Sequence, residues 1–144
     1  MNSFAALVQE AGTFLWLGMV LAISFLEAPL KFRAEGITVP LGLGIGRLVF
    51  RALNRVELAL ALFAAAAAAV APPGGWAIAL LAVAGVILLV QVFVLRPKLD
   101  RRALQIIAGA PLPRSRGHLT YVGLEVGKVL VLAALGTVLV LERL

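Results

Sequence analysis

Four apolar stretches, each long enough to cross a membrane, constrain the fold of this chain more than any other feature. They cover approximately residues 4–30, 41–71, 76–95 and 118–141, and a membrane-spanning helix needs about 20 apolar residues. Of the 144 residues, 62% are hydrophobic and 14% are charged, which is typical of a membrane protein. The sequence therefore predicts an all-α integral membrane protein, a bundle of four transmembrane helices that forms one domain over residues 1–144.

The basic residues are confined almost entirely to two alternate connections between these stretches. Eleven of the thirteen lie there: Lys31, Arg33, Arg47, Arg51 and Arg55 in the first connection, and Arg96, Lys98, Arg101, Arg102, Arg114 and Arg116 in the third. Cytoplasmic connections of membrane proteins carry an excess of lysine and arginine. We therefore expect both basic connections in the cytoplasm and both termini outside, in a bacterial inner membrane. The net charge of +6 then reflects orientation, and no nucleic-acid partner is expected.

Proline and capping residues predict where the helices begin and end. Pro29 lacks an amide hydrogen and disfavours helical geometry at the residue before it, so the first helix should kink or end there. Thr38 is an N-cap residue for the second helix, whose first turn accommodates Pro40. Residues 98–107 have one apolar and one basic side, which predicts a short interfacial helix on the cytoplasmic membrane surface.

Three features predict contacts with lipids or with other helices. Gly123 and Gly127 form a GxxxG pair, which could seat a neighbouring helix of the bundle or of a second copy. Trp16 is expected to pack between helices. Contacts with anionic lipid headgroups are expected at four arginines of the basic connections: Arg47, Arg55, Arg101 and Arg102.

Each predicted helix brings a polar side chain to the cytoplasmic third of the membrane. Ionisable groups at such depth usually face the interior of a bundle and pair with one another, and a four-helix bundle can bring them to one level. The sequence therefore predicts an ion, metal or proton site made of Glu27, Glu57, His118 and Glu125. Supporting polar groups are expected from Arg51, Asn54, Gln91, Tyr121 and Lys128.

Three roles for this cluster remain open at this stage. Carboxylates and an imidazole together are ligands for a divalent metal, and carboxylates alone can relay a proton. The third role is a structural network, with Arg47 or Arg51 paired to Glu57, and Lys128 paired to Glu125 or Glu27. No haem site is expected, because His118 would be one axial ligand without a second.

Catalysis finds little support in the residues available. The chain has no cysteine, and none of Ser3, Ser24 and Ser115 has a suitable base at a suggestive spacing. We predict that the protein handles a small ion, metal or proton through its carboxylate and histidine cluster. The alternative is a non-enzymatic membrane subunit or scaffold, as a homo-oligomer or with a partner protein or anionic lipid.

Several short motifs also carry a resemblance to a known family. They are Leu15-Trp16-Leu17-Gly18, Ala28-Pro29-x-x-Phe32, Gly46-x-x-Val49-Phe50, Arg96-Pro97 and the polar helix start at His118. In these the chain resembles a family of small four-helix membrane proteins of unknown function. That family is related to the human platinum-resistance-associated transmembrane protein and, distantly, to the copper-resistance protein D group. The resemblance implies the four-helix membrane architecture and assigns no metal ligands.

Overall fold

The computed structural model describes residues 3–113 and 116–144, and in these residues all regular structure is helical. Arg114 and Ser115, which the sequence analysis named, lie outside the described residues. Four helices are long and apolar enough to cross a membrane, which confirms the predicted all-α class. Their bounds are Ser3–Arg33 for the first helix, Val39–Val70 for the second, Gly75–Ile107 for the third and Arg116–Arg143 for the fourth.

The four helices pack side by side with the first and fourth at the centre. The first helix runs along both the second and the fourth, and the fourth runs along the third. The last part of the third helix, Arg96–Ile107, packs onto the second, so these two helices are in contact at this end. At the opposite end the second and third helices diverge and leave an apolar groove of about 470 Å³ between them.

The core combines large side chains with alanines. Trp16 and Val20 pack against Ala84, Leu132 and Leu135 in one buried cluster. Other large apolar side chains point outward, and Leu62 and Phe63 are 72% and 65% exposed. Apolar surface of this extent is rare on monomeric soluble proteins, so the exterior, like the composition, favours a membrane environment.

Two segments of the bundle are π-helical and each precedes a proline. They are Leu21–Glu27 in the first helix and Gln91–Leu95 in the third. The amide of Ala28 donates to the carbonyl of Ile23, and the amide of Arg96 donates to the carbonyl of Gln91, both across five residues. Such a wide turn leaves one carbonyl without its usual amide, and the next residue in each case is a proline, which has no amide to give.

This arrangement explains where the helices depart from the sequence prediction. The first helix, for which Pro29 predicts a kink or an end, does not end there and continues to Arg33. The third helix does not end at Leu95, and residues 98–107 are its continuation instead of a separate interfacial helix. In both places the π turn absorbs the missing hydrogen bond of the proline, so the helix passes through it. The start of the second helix is as predicted, with Thr38 Oγ1 accepting from the amide of Leu41 at 3.2 Å.

Replacing the capping residue of the second helix should weaken the fold by a predictable amount. We expect Thr38→Ala to lower the free energy of unfolding by about 1 kcal/mol, because the amide at the helix start loses its acceptor. Reversible unfolding in mixed detergent and dodecyl sulfate micelles measures it. Thr137→Ala is the matched control, since the exposed Thr137 hydroxyl donates only within its own helix, to Ala133. Equal losses in the two variants would contradict the cap.

Candidate functional site

A lysine lies fully buried between two carboxylates in the interior of the bundle. Lys128 Nζ is 2.5 Å from Glu57 Oε2 and 2.6 Å from Glu125 Oε1. It also donates to Gln91 Oε1 at 2.8 Å. An ammonium group has three hydrogens, so this lysine has one acceptor for each of them. All four of these side chains are at most 2% exposed.

The two carboxylates hold further hydrogen bonds from other helices. Glu57 Oε2 accepts from the Trp16 indole at 2.8 Å, and its Oε1 accepts from the Asn54 amide at 3.3 Å. Glu125 Oε2 accepts from the Ser24 hydroxyl at 2.7 Å. All four helices therefore contribute to one buried polar centre, which consists of Trp16, Ser24, Asn54, Glu57, Gln91, Tyr121, Glu125 and Lys128.

Helical spacing and the π segments place these groups together. Glu125 and Lys128 are three residues apart on the fourth helix, and Asn54 and Glu57 are three apart on the second, so each pair shares a face. Ser24 lies within one π segment and Gln91 begins the other. A π turn changes the direction of the side chains that follow it and is frequent at functional sites. Both π segments of the described chain thus touch the centre.

A layer of aromatic and basic side chains joins the centre to one end of the bundle. The Arg96 guanidinium carbon lies 4.4 Å from the Tyr121 ring centroid and 4.8 Å from that of Phe50. Tyr121 Oη in turn accepts from Asn54 Nδ2 at 3.4 Å. Asp100 Oδ1 follows at 3.9 Å from Arg96 Nη1. We call this the basic end, because Lys31, Arg47 and Arg96 converge on it.

The charges of the centre do not balance. Two carboxylates and one ammonium give Glu57, Glu125 and Lys128 a formal charge of −1. Burying an ion in a low-dielectric interior carries an effective penalty of several kcal/mol even after the protein relaxes. The ion pairs and hydrogen bonds offset part of this penalty, but the two carboxylates share a single ammonium, so a formal charge of −1 remains.

The structure brings together some of the predicted site residues and separates others. Glu57 and Glu125 meet, together with the predicted supporting groups Asn54, Gln91, Tyr121 and Lys128. Glu27 lies apart from them, with its Oε2 atom 3.7 Å from Lys31 Nζ, and His118 is exposed near the start of the fourth helix. Across residues 3–113 and 116–144, no group of three or more histidine or carboxylate side chains is placed to hold a metal.

The predicted ion pairs are half right. The pairing of Lys128 with Glu125 is confirmed. The pairing of Arg47 or Arg51 with Glu57 is wrong, because Arg47 lies near Asp100 at 3.9 Å and Arg51 is exposed. Arg47 starts roughly 15 Å from Glu57 along the helix axis, and a spacing of six residues puts Arg51 on the other side of the helix.

The remaining predicted contact residues lie on the outside of the bundle. Arg55 and Arg101 are exposed, while the half-buried Arg102 donates to the carbonyl of Pro113. At Gly123 and Gly127 an added Cβ would meet nothing within 4 Å. The GxxxG pair therefore seats no helix of its own bundle within the described residues, and only the second-copy alternative is left for it.

Sequence reasoning missed several residues of this region. Trp16 packs between helices as expected, but its bond to Glu57 joins positions 41 residues apart, and nothing local indicates it. Arg96 is predicted only as part of a basic connection and Asp100 is not predicted as a site residue, yet the two side chains lie 3.9 Å apart at the basic end. Ser24 did carry a usable signal, since a hydroxyl inside an apolar span needs a partner.

Comparisons with models of known protein families, with curated proteins and with solved structures find no match. The resemblance of the short motifs to a small four-helix family therefore stays a prediction.

Removing the central lysine should destabilise the fold more than any surface change. We expect Lys128→Met to lower the free energy of unfolding by about 3–5 kcal/mol, because two buried carboxylates lose their shared cation. The triple variant with Glu57→Gln, Glu125→Gln and Lys128→Met should recover most of this loss, since no buried charge remains. Unfolding in mixed micelles measures both.

The exposed Lys98 provides the matched control for this series. Lys98→Met should stay within about 0.5 kcal/mol of the wild type, as surface substitutions usually do. If Lys128→Met lowered the free energy of unfolding no more than Lys98→Met does, this would contradict a charged ammonium group with three hydrogen-bond acceptors at the centre.

Proposed function

We propose that this chain is a polytopic membrane protein that binds and releases a proton at the buried polar centre. The observation that carries the proposal is the excess carboxylate, since two buried carboxylates share one ammonium whose three hydrogens are already committed. A single proton brings the formal charge of the three groups from −1 to zero. In an apolar surrounding, this neutralisation removes the burial penalty of an unpaired charge.

A proton fits this site better than a metal cation does. The space between Glu57 and Glu125 is filled by the ammonium of Lys128, which contacts one oxygen of each carboxylate. A metal ion bridging the two acids would have to displace that ammonium. A proton needs only one carboxylate oxygen and leaves the lysine in place.

Hydrogen bonding favours Glu57 as the acid that takes the proton. Glu125 has donors at both oxygens, from Lys128 and Gln91 on Oε1 and from Ser24 on Oε2. Glu57 Oε1 receives only the Asn54 amide at 3.3 Å. Glu57 Oε1 therefore accepts the weakest set of hydrogen bonds among the four carboxylate oxygens, and it is the oxygen most readily protonated.

Asn54 supplies the partner that a protonated Glu57 needs. Its Oδ1 atom is buried without a hydrogen-bond partner, while its Nδ2 atom lies near both Glu57 Oε1 and Tyr121 Oη. A half-turn of the side-chain amide exchanges the two atoms. Oδ1 would then accept from the Glu57 carboxylic acid and from the Tyr121 hydroxyl, so proton binding and amide rotation are coupled.

The groups that face Glu57 from the other helices are few. The first helix presents the Trp16 indole, which does not titrate, and the third presents the neutral amide of Gln91. The fourth helix presents Lys128 and Glu125, and Tyr121 lies one group further away through Asn54. Proton exchange at Glu57 therefore depends chiefly on charges carried by the fourth helix.

The membrane location and orientation form part of the same proposal. The four apolar helices support a membrane location by composition, and the basic end corresponds to the cytoplasmic side of a bacterial inner membrane by the positive-inside rule. Both termini would then lie outside, near the ion pair of Glu10 and Arg143 at 2.9 Å.

Infrared difference spectroscopy of the protein in lipid vesicles tests the proton site. On acidification we expect a narrow carbonyl band of a buried carboxylic acid. Glu57→Gln and Glu125→Gln should each abolish it, because one carboxylate then remains for one ammonium. Glu57→Asp should shift the band, whereas Glu125→Asp should leave its frequency unchanged, which identifies Glu57 as the acid. Asn54→Leu should shift this band to higher frequency, because the acid loses its acceptor. Glu142→Gln is the matched control at an exposed carboxylate of the opposite end.

Two results would overturn the assignment. A buried-acid band that persists in Glu57→Gln would place the proton elsewhere. A wild-type protein that stays folded without any buried-acid band across the accessible pH range would leave the centre as a structural ion-pair network.

A second function, a membrane subunit that associates with another copy of itself, is favoured by the open GxxxG face. Gly123 and Gly127 leave free space for a close helix neighbour. Light scattering in detergent should then show a wild-type dimer and a monomer for the Gly123→Leu/Gly127→Leu variant. Gly18→Leu is the control, since Gly18 is exposed with equal space around it. A monomeric wild type would exclude this function.

A further inference from the structure

We infer that the proton reaches Glu57 from the basic end alone, along a hydrated polar path, and that the other half of the bundle, whose groove is apolar, offers no polar path to it. This inference rests on the proposed function, because it assigns a route to the same site. It adds a direction of access, which the charge of the centre does not determine.

The first observation is where buried polar atoms lack partners. Among the residues that the structure describes, six buried side-chain atoms have no hydrogen-bond partner. Five of them lie between the polar centre and the basic end: Glu27 Oε2, Arg47 Nε, Asn54 Oδ1, Arg96 Nε and Asp100 Oδ1. Buried polar groups in folded proteins nearly always bond to protein or to ordered water, so this region is suited to hold water.

The second observation is the spacing of the charged groups there. Asp100 Oδ1 lies 3.9 Å from both Arg47 Nε and Arg96 Nη1, and Glu27 Oε2 lies 3.7 Å from Lys31 Nζ. These distances exceed a direct hydrogen bond, and contacts of this length are commonly bridged by water. By contrast, the two ion pairs inside the centre are direct, at 2.5 and 2.6 Å.

A continuous series of contacts leads from these groups to the acid. Arg96 lies against the rings of Phe50 and Tyr121, and the Tyr121 hydroxyl lies 3.4 Å from the Asn54 amide, which reaches Glu57 at 3.3 Å. The path therefore ends at Asn54 Oδ1. Of the five buried atoms without a hydrogen-bond partner in this region, it is the one that belongs to the polar centre. Water along the path could pass a proton to Glu57 Oε1.

The opposite half offers no comparable route. Beyond the Trp16 indole that donates to Glu57, the core is lined by apolar side chains, among them Ala84, Leu132 and Leu135. The one buried hydroxyl described there, that of Thr13, donates to the carbonyl of Gln9 at 2.7 Å. Further out, Gln9 Nε2 is satisfied by the carbonyls of Ala67 and Ala71. A cavity of about 10 Å³ beside Gln9 is at the lower limit for a single water.

Single cysteines in this cysteine-free chain test the route. In oriented vesicles, Phe50→Cys should react with a small anionic, membrane-impermeant methanethiosulfonate reagent added on the basic side and should not react from the other side. Leu132→Cys, on the apolar side of the centre, should not react from either side. Lys98→Cys and Gly75→Cys, at exposed positions of opposite ends, report vesicle orientation.

A failure of the path and a failure of the proton site give different results. Labelling does not require that Glu57 titrates, so a labelled Phe50→Cys without a buried-acid infrared band would retain the path and remove the proposed function. A titrating Glu57 with Phe50→Cys unreactive from the basic side, or with Leu132→Cys reactive from the other side, would overturn the path. If Phe50→Cys does not give a monodisperse protein, Asn54→Cys replaces it with the same expected labelling.

Discussion

The contact on which the rest of this structure depends is the one between Lys128 and the two carboxylates of Glu57 and Glu125. These three side chains come from the second and fourth helices and are almost completely buried in an otherwise apolar bundle. Because a buried charge without a partner carries a large penalty, the two helices have little freedom to slide or rotate. Trp16, Ser24 and Gln91 tie the first and third helices to the same point.

The two π-helical segments are the local means by which this contact is reached. A regular α-helix repeats every 3.6 residues, and the wide turns at Leu21–Glu27 and Gln91–Leu95 change that repeat next to the centre. Each segment is followed by a proline, which has no amide hydrogen to donate. The π turn leaves one backbone carbonyl without an amide donor, so the proline costs the helix no additional hydrogen bond. The same two prolines that would end a helix therefore mark where these helices change register and continue.

The two ends of the bundle differ in chemistry and in packing. Towards the opposite end the buried core is made of alanine and leucine, and the buried amide of Gln9 donates to carbonyls of the second helix and of the turn after it. Towards the basic end the charged groups lie at distances that water would bridge. This asymmetry is the basis on which we propose that the polar centre is reached by water from one side only.

The sequence by itself determined the four helices, the cap at Thr38 and six of the eight residues of the centre, because apolar length, capping chemistry and rare polar groups in apolar spans are local signals. It could not determine that Glu27 and His118 lie outside the polar centre, or that Lys128 forms ion pairs with both Glu57 and Glu125. Those outcomes depend on how each helix is rotated about its axis. Only tertiary packing, with the π turns and with Trp16 donating across 41 positions, determines that rotation.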